Sequence, residues 1–261
     1  MYFFRKVRNR KKIKLMRNIT ETVKHLLIIN AIFFVASLSL GDLVYDFFAL
    51  HYPSNSKFQY WQPLTHMFMH GDFGHIFFNM FGLYMFGTPI EQMWGRNKFI
   101  FFYLSTGFGA AALQLFIYYY QISGVSDLLL AEGLNSVEII NFFQTSDLSY
   151  EIVENIGRDK LISSLSAFNG VMVGASGALY GVLVAFAFLF PNARLMLLFP
   201  PIPVKAKILV PLLILGDLFF GFTSYSIGPI AHFAHIGGAI TGLIMIWYWK
   251  KNQFNKNRWD I

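Results

Sequence analysis

The sequence predicts an all-α integral membrane protein, folded as a compact bundle of six transmembrane helices. The chain is 55% hydrophobic and only 13% charged, whereas average soluble domains carry about a quarter charged residues. A helix needs about 20 mostly apolar residues to cross the hydrocarbon core of a bilayer. Most of the candidate segments are interrupted by Gly, Ser, Asn or His, which favours helices packed against one another. The six segments lie near 25–48, 75–93, 98–120, 173–190, 207–225 and 234–249.

The basic residues predict how these segments are oriented. Eighteen of the 21 Lys and Arg residues fall at the two termini or in the loops on the same side. Because loops rich in Lys and Arg face the cytoplasm, both termini are predicted to be cytoplasmic. The basic run at 5–17 leads into an apolar segment, so an anchor beside the membrane is favoured over a nucleic-acid-binding arm. We predict three regions: a basic cytoplasmic arm at 1–24, a six-helix domain at 25–250 and a basic cytoplasmic tail at 251–261.

A long polar stretch at 121–172 is predicted to form an outer loop. It holds seven of the 14 acidic residues. Its sequences SVEIINFF and SYEIVENI carry apolar residues at spacings that suit short helices on the outer surface. The stretch is too short and too mixed in character to predict a separate domain.

Polar residues converge where the second, fourth and sixth segments begin. In the predicted topology these three segments all run inward from the outer face. The second begins with His75 and Asn79, which share one helix face; the fourth begins with Ser176, and the sixth with His235. Three distant parts of the chain are therefore expected to bring Ser, His and Asn side chains to a similar depth.

Two small-residue motifs predict that the fourth and sixth helices touch. GALYG at 177–181 follows Ser176, and GAITG at 238–242 begins three residues after His235. Small residues four apart let membrane helices approach closely. Such an approach would bring the serine hydroxyl and a histidine ring nitrogen within hydrogen-bonding distance, as a base-activated nucleophile requires.

Simpler interpretations exist for each of these residues. A serine at a helix contact is usually a packing residue, and a histidine within a membrane can simply satisfy a neighbouring polar group. The combination is more telling, because His75 and Asn79 would supply hydrogen-bond donors to a developing oxyanion. A backbone N–H at the start of the fourth helix would add another donor.

The motifs around these residues resemble those of the rhomboid family of intramembrane serine proteases. They are GASG around the serine, AHIGGAITG in the last segment, and three histidines followed by an asparagine at the second segment. The residues concerned are Gly174, Ser176, Gly177, His235, Gly238, Gly242, His66, His70, His75 and Asn79. The resemblance covers the six-segment core and leaves out the basic arm and the long outer loop.

The resemblance implies a catalytic dyad with no acidic member. Ser176 would be the nucleophile and His235 the general base. His75, Asn79 and the backbone N–H of Ser176 would form the oxyanion hole. The Tyr180 ring would orient the catalytic histidine.

The resemblance also implies supporting residues. His66 and His70 would brace the first outer loop and line the cavity, and Glu91 with Gly95 would make a polar contact at the inner end of the second segment. The family usually has Trp-Arg in the first loop, where this chain has Trp61-Gln62. Losing the multi-donor guanidinium means that this loop must be held differently.

Two further residues offer alternatives to the dyad. His232 also follows an alanine, but only His235 stands at the matching distance from the glycine pair at 238 and 242. Asp217 is an acid deep in the fifth segment. We expect it to lie well inside the membrane, where it would make a structural polar contact.

The predicted function is cleavage of transmembrane substrate proteins within or near their membrane helix. The bilayer and single-span or other membrane proteins would be the partners; no nucleic acid, metal or organic cofactor is required. LFFGF at 218–222 is the candidate movable gate, and a bacterial cytoplasmic membrane is the expected location.

One alternative is an inactive relative that binds or escorts membrane helices. Another is a metalloprotease using His66, His70, His75 and His235, although HExxH is absent; a transporter is a third.

Overall fold

A computed structural model describes residues 19–196, 202–223 and 231–252. The predicted all-α class is confirmed, and every one of the six apolar segments contains helix. Most of the basic arm and of the basic tail, and the last two residues of the fifth segment, lie outside the described residues. The helices are α1 (Glu21–Leu40), α2 (Asp42–Phe48), α3 (Gln62–Thr65), α4 (Phe73–Gly82), α5 (Thr88–Trp94), α6 (Arg96–Ala131), α7 (Ser136–Thr145), α8 (Tyr150–Ile156), α9 (Arg158–Asn169), α10 (Ser176–Leu189), α11 (Ala206–Phe222) and α12 (His232–Asn252).

Several boundaries differ from those predicted. The first segment breaks at Gly41, whose φ of +58° ends α1. A π-helical turn at Leu83–Gly87 joins α4 to α5. A two-stranded hairpin, β1 (Arg194–Met196) with β2 (Pro203–Lys205), connects α10 to α11, and an isolated β-bridge joins Leu50 to Met172.

Helix α6 is much longer than the third predicted segment and continues eleven residues into the predicted outer loop. Ile122, Val125 and Leu129 are buried on one face of this extension. They form a second hydrophobic cluster with α7, α8 and α9. The short helices expected there are present, with their own core on the end of α6.

Helix α10 lies at the centre of the bundle. It has 14 residues, so it is about 21 Å long, shorter than the roughly 30 Å hydrocarbon core. Its side chains are mostly buried, and Val182 and Ala185 are fully so. In the part of the chain that the structure describes, α1 and α6 are long and apolar enough to cross a membrane by length and composition.

The predicted contact between the two glycine motifs is confirmed. Gly238 of α12 lies directly against the backbone carbonyl of Gly177 in α10, where a Cβ atom would collide with it. One turn further along, a Cβ at Gly242 would lie 2.9 Å from the Cα of Gly181. The two helices therefore touch backbone to backbone beside the first residue of α10.

Large apolar side chains cover much of the bundle's exterior. They include Leu38, Leu43, Phe77, Phe101, Phe116, Leu212, Phe219, Leu243 and Trp247. Soluble monomers rarely expose so much contiguous apolar surface. The exterior is suited to lipid.

Candidate active site

The serine and histidine singled out from the sequence are hydrogen-bonded to each other. Ser176 Oγ lies 2.8 Å from His235 Nε2. His232 makes no hydrogen bond to this serine among the described residues. The structure thus brings together the pair that the sequence predicted. Ser176 is the first residue of α10, and His235 lies in the first turn of α12.

The start of α10 leaves its backbone donors available. The residue before it, Ala175, provides no side-chain cap, so the first N–H groups keep no local partner. Gly174 has a φ of +125°, which side-chain-bearing residues rarely adopt, and its N–H donates to the His66 carbonyl at 2.9 Å. This turn presents Ser176 at a helix N-terminus, where developing negative charge is favoured.

The imidazole of His235 is held on two sides. Its ring stacks on Tyr180, with ring centroids 4.2 Å apart and planes within 10° of parallel. Its Nδ1 lies 3.1 Å from Asp217 Oδ1. Tyr180 thus contacts the histidine as the sequence predicted, and Asp217 joins the site from α11.

Sequence reasoning expected only a structural polar contact from Asp217. Asp217 is five residues before the end of α11, which corresponds to about 7.5 Å along the helix axis. His235 lies about 5 Å into α12 from the same end of the bundle. Asp217 does make a polar contact, as expected, but the contact is with the candidate catalytic histidine. The position of the acid relative to the helix end was the signal that could have revealed this.

His75 also lies near the serine. A Cβ placed at Gly174 would lie 2.7 Å from His75 Nε2 and 3.5 Å from Ser176 Oγ. Both atoms therefore lie close to the Gly174 backbone. The Gly71 N–H donates to His75 Nδ1 at 3.4 Å. That bond favours the tautomer with its proton on Nε2, the nitrogen nearer the serine.

Asn79 lies one turn further along α4 and is buried. Its Nδ2 donates to the His75 carbonyl at 2.9 Å, which leaves a second N–H on the same nitrogen. No hydrogen bond joins Asn79 to Ser176 within the described ranges. Asp72 caps α4 by accepting from the His75 N–H at 2.8 Å, so the cap and both polar side chains share the first two turns.

His66 and His70 lie between α2 and α4, in the segment predicted to be the first outer loop, and are both almost fully buried. His66 Nδ1 donates to the Gln62 carbonyl at 3.0 Å. Burial lowers the pKa of His66 to about 4. Burial, together with the nearby His75, lowers the pKa of His70 to about 4. Both rings are therefore neutral at pH 7.

Gln62 shows how the loop is held without the usual arginine. Its side chain is fully buried. Oε1 accepts from the His51 N–H at 3.2 Å, while Nε2 donates to the carbonyls of Lys57 at 2.9 Å and Asp46 at 3.1 Å. One neutral amide thus satisfies three backbone groups without burying a charge.

Two further contacts join distant parts of the chain. Leu50 and Met172 exchange two backbone hydrogen bonds of 2.9 and 3.0 Å, which tie the first loop to the segment before Ser176. At the other end of the bundle, Glu91 accepts from the N–H groups of Thr22 and Val23, each at 3.0 Å. This is the polar contact expected of Glu91, and it caps α1.

Small residues line a narrow cavity beside Ser176. The lining combines the serine with Gly and Ala residues and a few larger ones: His66, Met67, Gly107, Ala110, Met172, Val173, Gly174, Gly177, Ala178, Ala231 and Ala234. The cavity opens next to the candidate nucleophile. Within the described ranges, no three His, Asp or Glu side chains are arranged to hold a metal ion.

Comparison with known proteins identifies the family. The family model for the rhomboid domain matches residues 57–252. The chain is 30% identical over 191 residues to RHOMBOID-like protein 12, mitochondrial, of Arabidopsis thaliana, a match covering 73% of this chain and 47% of that protein. It is 26% identical over 186 residues to Rhomboid protein 1, mitochondrial, of Saccharomyces cerevisiae, covering 70% of this chain and 40% of that protein.

A bacterial relative is also similar. The chain is 26% identical over 175 residues to Rhomboid protease GluP of Bacillus subtilis, a match covering 64% of this chain and 33% of that protein. The matches span less than half the length of these three relatives. The family match includes the segments that carry His66, Ser176 and His235. The chain belongs to the rhomboid family of integral membrane proteins.

Proposed function

We propose that this protein is an intramembrane serine endopeptidase that cleaves transmembrane proteins within or near their membrane helix. The observation that carries the proposal is the 2.8 Å contact between Ser176 Oγ and His235 Nε2. A nucleophile and its base within hydrogen-bonding reach, with the base oriented by a third group, are the signature of covalent catalysis. The Tyr180 ring supplies that orientation.

The proposed reaction has two steps. His235 Nε2 takes the proton of Ser176 as Oγ attacks the peptide carbonyl, and the same nitrogen then gives that proton to the leaving amine. In the second step His235 takes a proton from water as the water attacks the acyl carbonyl, and His235 returns that proton to Ser176 Oγ as the ester bond breaks. The developing oxyanion would accept hydrogen bonds from His75 Nε2–H, the Ser176 backbone N–H and the free N–H of Asn79.

The cavity beside Ser176 supports a preference for small side chains at the cleavage site. The cavity has a volume of only about 10 Å³, so there is little room next to the nucleophile. The substrate helix must unwind locally, because its peptide bonds are shielded by their own hydrogen bonds. Residues that destabilise helices near the cleavage site are therefore expected to favour cleavage.

The proposed topology has six spans, cytoplasmic termini and the active site near the outer face. The distribution of Lys and Arg supports this orientation. Helix α11 is the proposed gate, since its exposed Phe219 and Phe222 follow Asp217, which contacts His235. We propose a bacterial cytoplasmic membrane as the location, on the basis of the positive-inside pattern and the match to a Bacillus relative.

Cleavage of a single-span reporter protein in liposomes tests the proposal. Wild type should cleave the reporter, while Ser176→Ala and His235→Ala should each be inactive because the two residues act as a unit. Ser163→Ala, at an exposed serine in α9, should retain wild-type activity. Cleavage by Ser176→Ala would disprove the serine mechanism. A folded but inert wild type would favour the alternative, an inactive relative that binds membrane helices.

A further inference from the structure

Asp217 is an ionisable side chain buried on an otherwise apolar helix. Its neighbours in α11 are Gly, Leu and Phe, and only 6% of the residue is exposed. Burying a carboxylate in a membrane protein is costly, and such residues are usually kept for function. The proposed dyad does not use it.

The carboxylate of Asp217 binds two histidines through one oxygen. Oδ1 lies 2.6 Å from His232 Nδ1 and 3.1 Å from His235 Nδ1. Since a carboxylate only accepts hydrogen bonds, each ring must carry its proton on Nδ1. In the neutral ring of His235, Nε2 is then left with its lone pair, and Nε2 is the nitrogen that faces Ser176.

We propose that Asp217 is the third member of a Ser–His–Asp arrangement in this protein, acting as a positioning residue for His235. This inference rests on the proposed function. Asp217 would hold the tautomer in which His235 is able to accept the serine proton. Its negative charge would also stabilise the imidazolium that forms as Ser176 attacks.

A purely structural role predicts different behaviour. In that case Asp217 would only fasten α11 to α12, and its shorter bond to His232 would matter most. Loosening this contact would free the gate helix and lower KM. His232 makes no hydrogen bond to Ser176 among the described residues, so its removal separates the two roles.

Three variants in the liposome assay distinguish these roles, with kcat and KM measured for each. Asp217→Asn keeps the size and an accepting oxygen but removes the charge. We expect its kcat to fall roughly 100-fold or more with little change in KM, as the loss of general-base efficiency requires. Asp217→Glu restores the charge and should recover more activity than Asp217→Asn at similar thermal stability.

The control is His232→Phe, which removes the shorter hydrogen bond but keeps an aromatic ring against Phe220, whose centroid lies 5.8 Å away. We expect its kcat to fall much less than that of Asp217→Asn, because the Asp217 charge beside His235 is kept. Melting temperatures in detergent check that all variants are folded at the assay temperature.

Three outcomes would overturn the inference: wild-type kcat in Asp217→Asn, equal losses in Asp217→Asn and His232→Phe, or equal losses in Asp217→Asn and Asp217→Glu. Ser176→Ala, measured in parallel, separates this failure from that of the proposed function. An inactive Ser176→Ala beside a fully active Asp217→Asn leaves the protease intact and removes only the acid's role. An active Ser176→Ala would remove both.

Discussion

The bundle around Ser176 and the outer helices α7 to α9 are stabilised in different ways. At the centre of the bundle, α10 and α12 meet through the backbones of Gly177 and Gly238. The outer helices instead pack large side chains, and Phe143 stacks on Phe168 with centroids 5.0 Å apart. The hydrophobic effect contributes little to the association of helices within a membrane, because lipid tails are as apolar as the side chains. Van der Waals contact between closely packed backbones stabilises the association instead. Helices α7 to α9 are held together by burying their apolar faces in one cluster, as amphipathic helices are.

Individual helices of the two regions also differ in how they start. Helix α7 begins with a complete capping box, in which Asn135 and Glu138 satisfy each other's backbone donors. Helix α8 is capped by Ser149. In the bundle, α1 is capped by Glu91 from far along the chain, and α10 has no side-chain cap. Leaving the donors of α10 free is consistent with their proposed use by the oxyanion.

The largest effect is expected from filling the glycine contact of the bundle. In Gly238→Val, the new side chain must push α12 away from Gly177, because a Cβ at this position meets the Gly177 carbonyl. We expect a loss of about 1–3 kcal/mol of stability from overpacking. Cleavage should fall by about 100-fold, since small displacements of reacting groups are that costly. Reporter cleavage and thermal melting in detergent measure both.

Gly124→Ala is the matched control. Gly124 lies in α6, and nothing stands within 4 Å of the position that its Cβ would take. This substitution should leave cleavage unchanged and stabilise the helix by up to about 1 kcal/mol. If Gly238→Val cleaved as well as Gly124→Ala, the backbone contact would not be what positions His235.

A smaller effect on activity is expected from emptying the core of the outer helices. Phe143 is almost fully buried in the cluster of α6, α7 and α9. Phe143→Ala should destabilise this region by about 3–5 kcal/mol, because a large cavity is left. Cleavage should stay within a few-fold of wild type, since Ser176 and His235 contact none of these residues. Hydrogen exchange resolved by region measures the local loss.

Ile140→Ala, at an exposed site in the same helix, should leave exchange in α7 to α9 unchanged. A loss of cleavage in Phe143→Ala as large as that in Gly238→Val would show that the two regions are not separable. Asn55 is the contact to examine in that case, because its Nδ2 donates to the Phe168 carbonyl at 3.0 Å and joins the first loop to α9.

The same contrast explains what the sequence could predict. The contact between α10 and α12 could be predicted, because each helix has a GxxxG motif beside a Ser or His residue and such motifs indicate close helix packing. The short outer helices were visible from their amphipathic spacing. The extension of α6 was missed because Ile122, Val125 and Leu129 follow an apolar segment already long enough for a membrane span, so nothing in the pattern marked where the membrane part ends.

Two features of the site depended on geometry that one sequence does not carry. Gln62 replaces an arginine by satisfying three backbone groups at once, and those groups come together only when the first loop folds. Asp217 reaches His235 because α11 and α12 meet at one end of the bundle. The side chains were visible in the sequence, but their partners were set by helix packing and by the number of residues to each helix end.

The smallest effect is expected from removing a helix cap in the outer region. Asn135 accepts from the N–H groups of Val137 and Glu138 at 2.9 and 3.1 Å. Asn135→Ala should cost about 1 kcal/mol, as loss of an N-cap does, and should raise hydrogen exchange in α7 alone. Asn141→Ala, at an exposed position inside the same helix, should not, because alanine favours helix there. Equal exchange in the two variants would mean that the hydrophobic cluster holds α7 in place without its cap. Helix α7 would then resemble α10, which begins without a side-chain cap.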